Sequence, residues 1–123
     1  KVVLSQQKSA QSDFSNPDRG IAVIEKYGKV VGFISFFSID GSDNSKAKLP
    51  GIFISPKSHK KGFGSALLNF VKAKYSHINL AVYVKNRGAI TFYESRGFVK
   101  TEEKLDKESN QHYVEMNWEK GES

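Results

Sequence analysis

Apolar residues along this chain change their spacing from stretch to stretch, and each spacing predicts an element. Between Ile21 and Tyr27, and again between Val30 and Ser38, β-branched and aromatic side chains dominate on either side of Gly28-Lys29. That pattern predicts an antiparallel hairpin. The run from Val30 to Phe37 is apolar almost without interruption, which predicts a strand covered on both faces. Leu49 to Ile54 predicts a further strand. From Phe63 the period lengthens. Phe63, Leu67, Phe70 and Val71 share one helical face, leaving Lys72 and Lys74 for solvent. From His77 the period shortens to two: Ile78, Leu80, Val82 and Val84 alternate with His77, Asn79, Ala81 and Tyr83. A strand with one strongly apolar face is expected there. Asn86 to Gly97 reads as a short helix, with Asn86 placed to cap it and Gly97 where a left-handed C-terminal residue belongs. Phe98 to Leu105 and Gln111 to Trp118 predict a closing hairpin around Asp106-Lys107-Glu108-Ser109.

The remaining stretches carry less signal. Val2 to Phe14 is polar and is read as an incomplete helix, Asn16 to Gly20 as a turn, and Asp40 to Lys48 as a polar loop. The predicted order is strand, strand, strand, helix, strand, helix, strand, strand. This is an α/β chain of mixed (α+β) type, a central sheet flanked by helices. A crossover in its middle should set the strand at Ile78–Val84 parallel to the one at Leu49–Ile54. A chain of 123 residues suffices for one domain, taken as 1–123, and Lys1 opens it without a methionine, so the N-terminal elements are expected to be incomplete.

Composition narrows the classes. Hydrophobic content of 38% with 12% aromatics argues for a folded globule rather than a disordered tail. The absence of cysteine excludes a disulfide scaffold, a thiolate metal site and a cysteine nucleophile. With no apolar run of spanning length, a soluble, cytoplasmic protein away from membranes is the default expectation. A net charge of +6 suggests an anionic ligand, although solubilising lysine gives the same figure.

Two constellations carry candidate chemistry. Between Ile54 and Leu67 a basic loop with two glycines, Gly62 and Gly64, joins a strand to a helix. Glycines there let a ligand approach the backbone, and the unpartnered first-turn N–H groups with nearby Lys57, Lys60 and Lys61 make a receptor for phosphate. A structural strand-to-helix turn would use the same glycines. In the second, Asn86, Ala89 and Tyr93 stand at i, i+3 and i+7 on one face of the short helix. The amide could hold an extended ligand, the small residue leaves it room, and the phenol could donate a proton. Equally, Asn86 could cap, Ala89 pack, and Tyr93 sit in the core.

Together the two constellations resemble a known family. Ile54-Ser55-Pro56, followed by His59-Lys60-Lys61-Gly62-Phe63-Gly64-Ser65-Ala66-Leu67-Leu68, is similar to the acetyl-CoA loop of the GCN5-related N-acetyltransferases (GNAT). Asn86 to Phe98 resembles their second motif, Asn-x-x-Ala-x-x-x-Tyr-x-x-x-Gly-Phe. The resemblance covers about residues 20 to 118 and implies the acyl-CoA N-acyltransferase fold, with acetyl-CoA as cosubstrate, an amine acceptor (a small molecule or a protein) and no metal. By that resemblance, backbone groups of Ile52, Phe53 and Ile54 would meet the pantetheine arm. His59, Lys60, Lys61, Gly62, Phe63, Gly64 and Ser65 would form the pyrophosphate loop. Asn86, with Ala89 beside it, would hold the cofactor arm, and Tyr93 would protonate the departing thiolate.

The chain also departs from the pattern. His59 replaces the usual Gln or Arg, and Ala81 stands where some members carry a general-base Glu. Glu25, His77 and His112 are then the candidates for deprotonating the amine through water. The family's opening strand and first helical region have no clear counterpart. Two other readings compete: a non-catalytic acyl-CoA sensor and a nucleic-acid-binding module. The scatter of the lysines disfavours the second. Self-association into a homodimer is left open.

Overall fold

A computed structural model describes residues 2–7, 20–39, 46–58 and 62–121. Among them lie β1 (Val2–Gln7), β2 (Gly20–Lys26), β3 (Lys29–Ser38) and β4 (Lys46–Ile54). A single 3-10 turn (Pro56–Ser58) leads on to α1 (Phe63–Lys74), β5 (His77–Tyr83), α2 (Arg87–Ser95), β6 (Val99–Asp106) and β7 (Gln111–Glu119). The strands form one seven-stranded sheet in the order β1-β2-β3-β4-β5-β7-β6. Only β4 and β5 run parallel. No helix among the described residues is long and apolar enough to cross a membrane.

The β2–β3 hairpin turns on Tyr27 and Gly28, both left-handed (φ 53 and 79), so the two-residue loop lies one position earlier than the sequence pattern put it. The closing hairpin β6–β7 pairs as expected, from Val99↔Asn117 to Asp106↔Gln111.

Three expectations need correction. Val2–Gln7 is a strand, not the start of a helix, and pairs antiparallel with β2 from Val2↔Lys26 to Gln7↔Ile21. An edge strand is held by backbone bonds to one neighbour, and Val3 and Leu4 remain exposed, so little periodicity marked it. The strand expected at Leu49 begins at Lys46, because Ala47 is fully buried and continues the ladder into what looked like a polar loop. Finally, β3 is not covered on both faces. Ile34 and Phe36 are buried beneath the helices, whereas Phe33 on the opposite face is 39% exposed. The turn expected at 16–20 falls almost wholly outside the described residues.

α1 and α2 cover the same face. Leu67, Leu68 and Val71 of α1 and Tyr93 of α2 join Ala22, Ile34, Leu49, Ile78, Leu80 and Met116 in one core. Lys72, expected in solvent, folds back: its Nζ donates to the Arg96 carbonyl at 2.6 Å and stands 4.9 Å from the Trp118 ring centre. Burial, then the Arg96 charge, lowers its pKa. Lys72 thereby ties the end of α2 to α1. Replacing it with methionine should keep the packing stem and lose the hydrogen bond. The expected result is about 1 kcal/mol of destabilisation in urea unfolding, with an unchanged m-value.

The parallel pair positions the site. β4 and β5 pair only over Lys46–Lys48 and His77–Asn79. The pairing expected for Leu49–Ile54 is absent. The register against β3 also slips there, from Phe37↔Lys48 to Ser35↔Gly51, which places one extra residue in β4 at Leu49-Pro50. Proline has no N–H to offer a ladder, and a bulge bends its strand. Beyond Lys48 the two strands therefore part, leaving a gap in the sheet.

Candidate active site

The helix-covered side of that gap is a cleft of about 620 Å³, lined by residues of β4, the α1 N-terminus and α2. Ile52 and Ile54 form one wall; each lies opposite a buried residue of β3, Ile34 and Gly32 respectively. After Ile54 the chain is held by Ser55 N–H donating to the Val31 carbonyl at 2.8 Å. Gly62 then opens α1 with φ 80, a conformation that side-chain-bearing residues rarely adopt, and no side chain among the described residues caps the helix. Its carbonyl accepts from Ala66 N–H at 3.0 Å, so the helix starts at once. First-turn amides of an α-helix have no intrahelical acceptor, and here they border the cleft.

α2 supplies the opposite wall. Asn86 caps it, with Oδ1 accepting from Ala89 N–H at 3.2 Å. The capping role is therefore real, and it leaves the amide NH₂ for other partners. Ala89 and Tyr93 face the cleft beside Asn86, so the i, i+3, i+7 face points where the pattern suggested. Tyr93 is 6% exposed, with its ring 5.4 Å from Phe92 and 5.5 Å from Phe98 between centres. Burial pushes its phenol up to about 12. It is protonated at any physiological pH.

Of the residues named from the sequence, Ile52, Ile54, Gly62, Phe63, Gly64, Ser65, Asn86, Ala89 and Tyr93 come together around this cleft. The Phe53 side chain does not. It lies on the other face, half exposed, with its ring 5.7 Å from that of Phe33. His59, Lys60 and Lys61 fall outside the described residues. Glu25, His77 and His112 do not line the cleft; His77 pairs with Glu119 at 3.4 Å and His112 with Glu103 at 3.2 Å. No group of His, Asp or Glu among the described residues is arranged to hold a metal.

Sequence reasoning missed Phe92 and Arg96. Phe92 sets the width of the cleft: a Cβ added at Gly64 would stand 3.3 Å from its ring. Arg96 reaches across to α1, where Nε donates to Ser65 Oγ at 2.8 Å and a terminal nitrogen donates to the same oxygen. Its guanidinium lies 5.1 Å from the Phe92 ring centre. A fixed cation thus stands beside the free amides of the α1 N-terminus. The spacing could have shown it, since position 96 continues the 89–93 face by three residues.

A sequence profile of the acetyltransferase (GNAT) family matches residues 3–98. The chain is 38% identical over 76 residues to the peptidyl-lysine N-acetyltransferase YiaC of Escherichia coli (strain K12), a match covering 62% of this chain and 47% of that protein. This chain thus matches about half the length of that relative. Among solved structures, the ribosomal-protein-S18-alanine N-acetyltransferase from Escherichia coli superposes with a TM-score of 0.78 at 16% identity, covering 100% of this chain and 96% of that one. A GNAT family acetyltransferase from Elizabethkingia anophelis with acetyl-CoA bound gives 0.77 at 13% identity, covering 96% and 97%. At such identities the likeness is one of fold.

Proposed function

The chain belongs to the acetyltransferase (GNAT) family, and from that premise we propose that it transfers the acetyl group of acetyl-CoA directly to a primary amine of a small molecule or protein, with Tyr93 as general acid. One observation carries the proposal. The phenol of Tyr93, the cap residue Asn86 and the N-terminal turn of α1 border a single cleft.

The lining suits the cosubstrate. Ile52, Ile54, Phe63, Ala89 and Phe92 offer an apolar wall for an extended pantetheine arm, and the gap beyond Lys48 leaves β4 backbone groups without strand partners on β5. Amides of Phe63, Gly64 and Ser65 hold the pyrophosphate at the positive end of α1, with the Arg96 guanidinium beside them. His59, Lys60 and Lys61 lie outside the described residues, and the sequence motif assigns them to the same pyrophosphate. The Asn86 NH₂ donates to the cofactor arm while its Oδ1 stays on Ala89 N–H.

The chemistry supplied by the bound thioester is an acyl carbon open to attack. A neutral amine forms the C–N bond, the C–S bond breaks, Tyr93 gives its proton to the departing sulfur, and the surplus proton shed by the acylated nitrogen restores the phenol. For an acceptor arriving as an ammonium ion, one proton leaves to solvent in each turnover. A phenol near 12 is a weak acid, but the burial that raises it also disfavours a free thiolate in the same cleft, so the sulfur takes the proton. No covalent enzyme intermediate is needed, in keeping with a chain without cysteine.

The experiment is thiol release from acetyl-CoA over a panel of amines and lysine-containing peptides, beside calorimetric binding of acetyl-CoA. Release that depends on an added amine is the expected outcome. Binding with no release from any acceptor would leave a non-catalytic acyl-CoA binder in its place.

A further inference from the structure

The gap between β4 and β5 also opens onto the sheet face that α1 and α2 leave uncovered, into a second cavity of about 450 Å³. Residues directly opposite each other in an antiparallel pair share a face. Glu115 of β7 is opposite Ala81 of β5, and Ala81 lies beyond Asn79, the last β5 residue paired with β4. The small alanine leaves the space at the lip of the gap to its neighbour's carboxylate. Among the described residues, two carboxylates line this cavity. Asp106 is committed to the hairpin turn, accepting from Tyr83 Oη at 2.9 Å, Ser109 Oγ at 3.0 Å and Glu108 N–H at 3.1 Å. Glu115 instead holds an ammonium: Lys104 Nζ stands 2.6 Å from its Oε2, and 3.3 Å from Glu102. The Glu115 side chain keeps 19% of its surface exposed. An alkylammonium is therefore already seated on Glu115, delivered by a flexible stem that another amine could displace.

We propose that Glu115 is the acceptor-binding residue, its carboxylate taking the alkylammonium of the amine substrate in place of Lys104 Nζ and holding it at the mouth of the gap. The proposal rests on the acetyl-transfer reading, which names an amine as the second substrate. It sets the substrate class: primary alkylamines, cationic at neutral pH, entering from the face opposite the CoA cleft. The Lys104–Glu115 pair acts as an internal competitor for the acceptor, with Glu102 sharing Lys104 and with Asn79 and Lys48 also acting on the Glu115 carboxylate.

The test uses the chain with saturating acetyl-CoA and two acceptors, a cationic alkylamine and an arylamine that is neutral at pH 7. Glu115→Gln should raise KM for the alkylamine about tenfold and leave the arylamine and acetyl-CoA values unchanged. Lys104→Met, which frees the carboxylate, should lower KM for the alkylamine. An equal effect of Glu115→Gln on both acceptors, or none on either, overturns the assignment, as does a raised alkylamine KM in Lys104→Met. NMR titration with hexylammonium chloride supplies a readout independent of turnover. Shifts at the Ala81 and Tyr113 amides in the wild type, lost in Glu115→Gln, support an alkylammonium site on Glu115; if no acceptor is then acetylated, the acetyl-transfer reading falls and takes the acceptor role with it, while the ammonium site stands. Absence of those shifts in the wild type overturns the proposal whatever the turnover.

Discussion

Replacing Tyr93 with phenylalanine is expected to lower kcat by about 100-fold or more, the range lost with a general acid, while acetyl-CoA binding is unchanged. The ring provides the packing against Phe92 and Phe98, and phenylalanine retains it, so the fold should survive. Only the hydroxyl is removed. The split between kcat and affinity is the decisive readout: a matching loss of acetyl-CoA affinity would make Tyr93 a binding residue. The pH profile adds a second check. A phenol raised to about 12 keeps its proton throughout the working range, so the acid form gives no alkaline limb at the ordinary phenol value of about 10. If activity falls around that ordinary value and the fall disappears in Tyr93→Phe, the phenol is not desolvated as its burial implies.

The second large effect is expected at the start of α1. Gly62→Val puts a β-branched residue at φ 80, which the backbone relieves by moving the helix start. The amides of Phe63, Gly64 and Ser65 shift with it. Losing two well-aligned N–H contacts to a diphosphate, each worth roughly 1.5–3 kcal/mol, weakens acetyl-CoA binding by about 100-fold or more. Gly28→Val is the matched comparison: it carries the same strain at φ 79 in the β2–β3 turn, away from the cleft. Both variants should lose stability, but only Gly62→Val should lose the ligand in isothermal titration. Equal Kd values for the two would remove the α1 N-terminus from the binding site.

What could be read from the sequence follows from how local each cause is. α1, β5 and α2 are written in short-range spacing, and the structure returns them nearly residue for residue because one buried face decides each. The motif residues likewise follow from two turns, at Gly62 and Asn86, whose geometry depends on adjacent residues. β1 was invisible because an edge strand needs only a neighbour's backbone. The parting of β4 from β5 depends on a register slip against β3, a non-local property that Pro50 alone could only hint at. Arg96 and Glu115 were passed over for a related reason. One acts across a helix–helix contact to Ser65, and the other matters through the residue facing it on the next strand.

The single surplus residue at Leu49-Pro50 changes the parity of β4 where it leaves β5. Before it, the odd-numbered Ala47 and Leu49 point into the core; after it, the even-numbered Ile52 and Ile54 take over that side. Parity has been inverted in mid-strand. A shortened chain lacking Pro50 would restore strict alternation with Ile52 and Ile54 still on the core side, and would remove the bend that parts β4 from β5, closing the gap between them. The opening of the cleft is thus a matter of counting, one residue more or fewer, before it is a matter of which residue.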